Sequence, residues 1–198
     1  MADHGPLLAA LDAHRPISPV EEADMARVRD LLAGGDGDPW DRDRPLHATA
    51  SALVLHPPTG RVLLRWHERM QSWLQVGGHA DPGEGDPAAV ARREAQEETG
   101  LTDLAPFPDR EAYRLVHVVV VPVPAGRGEP AHEHADLRYL LATGAPDDVV
   151  PESAAAGLRW LSLDAAHSVA REENLRITLG RAGVILGRAG DRGYGRRP

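Results

Sequence analysis

Apolar positions fall into stretches of two periods along the chain. Val20, Met25, Val28, Leu31 and Leu32 recur at helical spacing within PVEEADMARVRDLLA (19–33), which opens with acids and runs into Gly34-Gly35. That pattern predicts a helix over 19–33, and LLAALDAH (7–14) predicts a shorter one before it. GGDGDPWDRDRP (34–45) reads as loop or linker. From His47 onward the texture becomes β-prone. ATASALVLH (48–56) and RVLLRW (61–66), joined by the turn PPTG (57–60), predict a hairpin, and WLQVGGHA (73–80) predicts a short strand running into glycines.

The period then reverts. DPGEGDP (81–87) is loop, with Asp86 as N-cap and Pro87 at the first helical position, and AAVARREAQEETG (88–100) is a helix stopped by glycine. Ala88, Ala91 and Ala95 fall on one side of it, small enough for close packing on a sheet. YRLVHVVVVPVP (113–124), AHEHADLRYLLAT (131–143) and GLRWLSL (157–163) read as strands, and 164–188 as helical. Strands before and after the acidic helix point to an α/β fold, a mixed sheet with helices on its faces. The expected organisation is a helical extension and linker (1–45), an α/β domain (46–188) and a disordered Gly/Arg tail (189–198).

Composition removes several chemistries. The chain of 198 residues has no cysteine, and its 22 basic residues are all arginine, so cysteine and lysine nucleophiles are excluded. A net charge of −8 argues against a nucleic-acid partner, and leaves a phosphate substrate in need of local arginines or metal ions. No 18-residue apolar run is present, so no membrane span is expected. The first residues lack a basic n-region and a long apolar core, so no signal peptide is expected and the cytoplasm is the expected compartment.

The segment REAQEETGL (93–101) carries the strongest chemistry. On a helix Glu94, Glu97 and Glu98 occupy i, i+3 and i+4, with neighbouring Cβ atoms roughly 5–6 Å apart. Glu94 and Glu98 then repel unless something offsets their charge. A hard divalent cation would do so through carboxylate oxygens. A solvated acidic face beside Arg92 and Arg93, with an ordinary Arg93–Glu97 pair, is the alternative.

Taken together, GGHADPGEGDPAAVARREAQEETGL (77–101) resembles the signature of the Nudix hydrolases, a family that cleaves nucleoside diphosphates linked to another moiety. Gly78 and Glu84 have the family spacing, and Arg93 through Leu101 match every specified position. One departure stands: eight residues separate Glu84 from Arg93 where the family has seven, which bears on where Glu84 sits.

The resemblance implies an α/β/α sandwich around a mixed sheet, and a loop–helix–loop holding Mg²⁺ or Mn²⁺. Glu94, Glu97 and Glu98 become metal ligands with a Gly77 or Gly78 carbonyl, and Arg93 orients the acids. Glu133 and Asp136 are the downstream acids that could serve as general base. Arg65, His79, His132 and His134 are candidates for contact with a small phosphate substrate. A homodimer is expected from the family and from the extra N-terminal helices. The proline or tyrosine that marks the family's ADP-ribose and diadenosine polyphosphate groups is absent, and its cysteine-dependent isomerases are excluded. A metal-dependent pyrophosphohydrolase is the leading expectation, and a non-catalytic nucleotide-binding sensor or interaction module the alternative.

Overall fold

The computed structural model describes residues 4–34, 37–126 and 128–191. Two helices, α1 (Gly5–Ala13) and α2 (Pro19–Ala33), precede strand β1 (Leu46–His56). A short turn leads to β2 (Arg61–His67), followed by β3 (Ser72–Leu74), β4 (Val76–Gly78) and helix α3 (Pro87–Thr99). Strands β5 (Ala105–Pro106), β6 (Leu115–Val123), β7 (His132–Ala142) and β8 (Leu158–Ser162) come next, and α4 (Leu163–Val169) and α5 (Glu173–Asp191) close the described chain.

The sheet is mixed. At its centre β1 and β7 run parallel, from Leu46 opposite Glu133 to Leu55 opposite Ala142. The other pairings are antiparallel: β2 and β4 with β1, β3 and β8 with β2, β5 and β6 with β7. β1 and β2 separate beyond Val54 and Leu63, and β3–β4 fills the gap by pairing β3 with β2 and β4 with β1. The single strand expected over 73–80 is therefore two short ones, broken at Gln75, because the chain changes partner there.

Alternation along β1 sorts its residues between two cores. Ala48, Ala50, Ala52 and Val54 join Leu137, Tyr139 and Leu141 of β7 on one face, against Val90, Ala91 and Ala95 of α3, Leu7 and Leu11 of α1, and Met25 and Val28 of α2. Leu53 and Leu55 join Val62, Leu64 and Leu140 on the other, against Ala166 of α4 and Leu175, Leu179 and Ala182 of α5. The result is an α/β/α sandwich. The alanines of β1 and α3 have no bulk to hold the layers apart, so α3 lies close on the central strands.

The N-terminal helices are bound into this sandwich at its β6 edge. Glu21 is buried and accepts hydrogen bonds from His14, from the backbone N–H groups of Ile17 and Val118, and from Arg181 of α5 through both carboxylate oxygens. Burial pushes its carboxyl up, but those hydrogen bonds outweigh it and hold the group well below the usual carboxylate range. Asp24 accepts from the Val120 N–H at 3.1 Å. Side chains of α2 thus satisfy two N–H groups on an edge strand that would otherwise be open to pairing with another chain.

Two sequence expectations are revised here. The helical stretch 164–188 is two helices, interrupted where Ala170 turns extended (φ −67°, ψ 117°). Of the tail expected to be disordered from 189, residues 189–191 belong to α5, and residues 192–198 lie outside the described residues.

Candidate active site

The expected loop–helix unit forms as a continuous piece. Asp86 caps α3 by accepting from the Ala88 N–H at 2.9 Å, Pro87 occupies the first turn, and Gly100 leaves the helix at φ +70°. β4 delivers Gly77 and Gly78 against the acidic side of α3. A Cβ on Gly77, which sits at φ +149°, would lie 2.4 Å from Cβ of Ser51. A Cβ on Gly78 would lie 2.6 Å from the carboxylate carbon of Glu94. At Gly77 the approaching atoms include the β1 backbone, so glycine is required there; at Gly78 they are the movable end of the Glu94 carboxylate.

Arg93 organises the acids. It donates from Nη1 to Glu94 at 3.0 Å and to Glu97 at 2.9 Å, from Nε and Nη2 to Glu84, and from Nη2 to the His79 carbonyl at 2.7 Å. These carboxylates raise its already high pKa further, the Glu84 hydrogen bonds contributing most. Glu84 thus reaches α3 despite the extra loop residue. The loop absorbs the insertion in a turn in which the Glu84 N–H donates to the Asp81 carbonyl (3.0 Å) and the Glu84 carboxylate accepts from the Asp81 N–H (2.8 Å).

Glu98 is the most secluded acid of the group. It accepts from the Gly77 N–H at 3.1 Å and pairs with Arg65 at 3.3 Å. Burial outweighs both and pushes its carboxyl up to about 7; burial also raises Glu94. A carboxylate driven toward neutrality by desolvation regains its charge when a cation arrives. An all-oxygen donor set with a glycine cradle filled by Glu94 fits Mg²⁺ or Mn²⁺. Glu94, Glu97, Glu98 and the Gly78 carbonyl are the groups that would hold it. Arg65 is taken up by Glu98 and Glu152, so its contact with substrate would require releasing one of them.

A cleft of about 800 Å³ opens on the same strands, and Gly77 and Gly78, which pack against the acids of α3, form part of its wall. β1 contributes His47, Thr49 and Ser51 to it, and β7 contributes His132, His134, Asp136 and Arg138. His79, just past β4, completes a group of four imidazoles: His47 Nε2 lies 3.1 Å from His79 Nε2, and His132 Nε2 lies 3.1 Å from His134 Nε2. Burial and then the neighbouring rings hold His79 down to about 3, and burial holds His134 down to about 4. Arg42, Arg44, Arg69 and Arg138 share the lining with Asp43, Glu129, Asp136 and Glu172, and two of the arginines are paired within it, Arg69 with Glu129 at 2.7 Å and Arg138 with Asp136 at 2.8 Å.

Structure separates the two downstream acids. Asp136 lies in the cleft but is committed to its wall, accepting from Ser51 (2.9 Å), Thr49 (3.4 Å), Gln75 (3.3 Å) and Arg138 (2.8 Å). Glu133 is not brought to the cleft: strand alternation turns it to the other face of β7, where it pairs with Arg27 of α2. Its expected base role has no geometric support. His47 and Arg138 were not among the candidates. Their signal was the run His47, Thr49, Ser51 alternating with Ala48, Ala50, Ala52, a strand polar on one face in the middle of a sheet.

With fold and site described, comparison with known proteins adds the following. A family model of the NUDIX domain matches residues 45–178. Among solved structures, an Ap4A hydrolase of C. elegans (binary complex) is similar at 21% identity and TM-score 0.55, over 71% of this chain and 97% of that one. A NUDIX-family hydrolase from Clostridium perfringens is similar at 24% identity and TM-score 0.55, over 71% and 97%. The E. coli dihydroneopterin triphosphate pyrophosphohydrolase is similar at 18% identity and TM-score 0.51, over 71% and 96%. No match is found among curated proteins. The chain belongs to the NUDIX family, and its fold is that of Nudix hydrolases. Among the described residues no helix is long and apolar enough to cross a membrane.

Proposed function

We propose that the protein is a metal-dependent pyrophosphohydrolase that cleaves a nucleoside diphosphate derivative or related organic pyrophosphate by attack of water at phosphorus. The observation that carries this reading is the folded acidic cluster: Glu94 and Glu98 packed beside Gly77-Gly78, with Arg93 bridging Glu84, Glu94 and Glu97. When bound, Mg²⁺ or Mn²⁺ neutralises phosphate oxygens and acidifies the attacking water.

The chain's own residues supply the rest. Arg93 fixes the carboxylates, and the Gly77 N–H holds Glu98 toward β4. The water's proton passes to a carboxylate of this cluster, since Glu133 faces away and the oxygens of Asp136 are occupied. Phosphorus gains one oxygen from water, the bridging P–O bond breaks, and two phosphate-bearing products leave. Arg42 and Arg44 of the cleft lining are the arginines suited to meet the charge of a small phosphate substrate. Residues 46–188 form the catalytic unit and 1–45 a cap on its β6 edge. A homodimer and a cytoplasmic location belong to the same reading.

Chromatographic detection of the phosphate-bearing products from a panel of nucleoside triphosphates, dinucleoside polyphosphates, nucleotide sugars and non-nucleotide diphosphates, with Mg²⁺ and then Mn²⁺, tests it. Activity that Glu97→Gln and Glu98→Gln abolish is expected. A protein silent on the whole panel, yet raised in melting temperature by one of its compounds, would be a nucleotide-binding module instead.

A further inference from the structure

We propose that His47, His132, His134 and His79 form a second metal site, built for a borderline transition cation of the Zn²⁺ class and separate from the carboxylates of α3. One ligand nitrogen from each of His47, His132 and His134 lies within 4.8 Å of the other two, and His79 Nε2 is 3.1 Å from His47 Nε2. The two close Nε2–Nε2 separations, each 3.1 Å, approach the edge of a tetrahedron of nitrogens around zinc, about 3.3 Å for Zn–N bonds of about 2.0 Å.

Proton placement on two of the rings is fixed by their backbone partners. His47 Nδ1 faces the Arg44 carbonyl and His132 Nδ1 faces the Pro130 carbonyl, both at 2.9 Å. A carbonyl only accepts, so each Nδ1 carries the hydrogen and each Nε2 presents its lone pair to the centre of the cluster. That is the usual support of a metal-bound imidazole, whose outer N–H is held by a carbonyl or carboxylate. In the metal-free protein His79 and His134 donate Nε2–H to those two lone pairs. On binding a cation they shift their hydrogen to Nδ1, so that His134 joins His47 and His132 as ligands and His79, held beside His47, turns its Nε2 in as the fourth.

The scaffold holds the rings in register. His47 and His134 are directly opposed on the parallel β1–β7 pair, His132 lies two residues earlier on the same face of β7, and His79 follows β4, which pairs with β1. Rings of His47 and His132 stack at 5.3 Å, and those of His79 and His134 meet edge-on at 4.9 Å. An all-nitrogen donor set favours zinc-like ions, where Mg²⁺ selects oxygen, so the two sites differ in the cation they take. This inference does not depend on the hydrolytic reading, since the cluster would bind its ion in an inactive protein.

The test is titration of tag-free protein with Co²⁺ in excess Mg²⁺, following the visible absorption of four-coordinate cobalt, then displacement by Zn²⁺. Wild type should show one equivalent with intense visible bands, and Glu97→Gln/Glu98→Gln should keep them. His47→Gln/His134→Gln should lose the bands with its circular dichroism unchanged. If that double variant does not fold, His132→Gln, at the half-buried start of β7, should bind Co²⁺ at least tenfold more weakly. Absence of the bands from wild type overturns the proposal. So does their loss in the glutamate variant with retention in the histidine variants. Histidine variants that lose phosphate-substrate affinity while wild type takes no cobalt would make the imidazoles direct substrate contacts.

Discussion

Arg93 donates to the backbone carbonyl of His79 at 2.7 Å, and this one bond ties the carboxylate helix to the loop that carries a cleft imidazole. The same guanidinium holds Glu84, Glu94 and Glu97, so four partners converge on one planar fork. Lysine offers a single ammonium and cannot reproduce that geometry.

Arg93→Lys should therefore behave much like Arg93→Ala. In both, the Mg²⁺ concentration giving half-maximal activity is expected to rise by about 10–100-fold, the usual effect of losing a group that orients metal ligands. A Lys variant with wild-type metal dependence would show that charge alone is enough.

Glu98 sets a pH dependence. Its folded-state pKa of about 7 lies above the ordinary 4.5, so the stability it contributes is fully present below about 4.5 and is lost as pH rises toward 7. The buried histidines, held low, act in the opposite sense over the same range. The contribution of Glu98 thus appears in a difference: in chelator, Glu98→Gln should gain in melting temperature relative to wild type as pH rises through that window. Parallel wild-type and variant profiles would contradict the burial argument.

Glu21→Ala leaves Arg181 facing the β6 edge without its carboxylate partner and strips an acceptor from the N–H of Val118. Removing one partner of a buried ion pair costs about 3–5 kcal/mol. Urea unfolding should show a loss of that size, while kcat at a temperature where the variant is folded stays near wild type. An unchanged midpoint would mean that the N-terminal helices are only loosely attached.

The paired glycines should separate into two phenotypes. Gly77→Ala meets both the β1 backbone and an unfavourable φ, and is expected to lose about 3 kcal/mol or more. Gly78→Ala meets the movable end of Glu94, so it should fold with near-normal melting temperature yet need about tenfold more Mg²⁺. Equal destabilisation by both would mean that the Glu94 carboxylate cannot move aside.

Local signals were legible in the sequence. The Asp86 cap, Pro87 and Gly100 bound α3 as their chemistry requires, and the Arg93–Glu97 pair forms at i,i+4. What local pattern could not supply was partnership at long range. Gln75 interrupts a strand because β1 and β2 part company there, which no residue of 73–80 announces. Glu21 reads as an ordinary first-turn acid of α2, and only the arrival of β6 and α5 makes it a buried anchor. Glu133 and His134 are neighbours in a polar run, and one step of the pleat sends them to opposite faces.

The parallel pairing at the centre of the sheet also fixes when the cleft can exist. Thr49 and Asp136 touch across 87 positions of chain, and parallel contacts of such separation form late because loop closure must precede any reward from them. A growing polypeptide released as far as α3 already owns its glutamates but has no β7 beside β1. The cleft would then be completed in a single late step of folding, after α3 and its glutamates are in place.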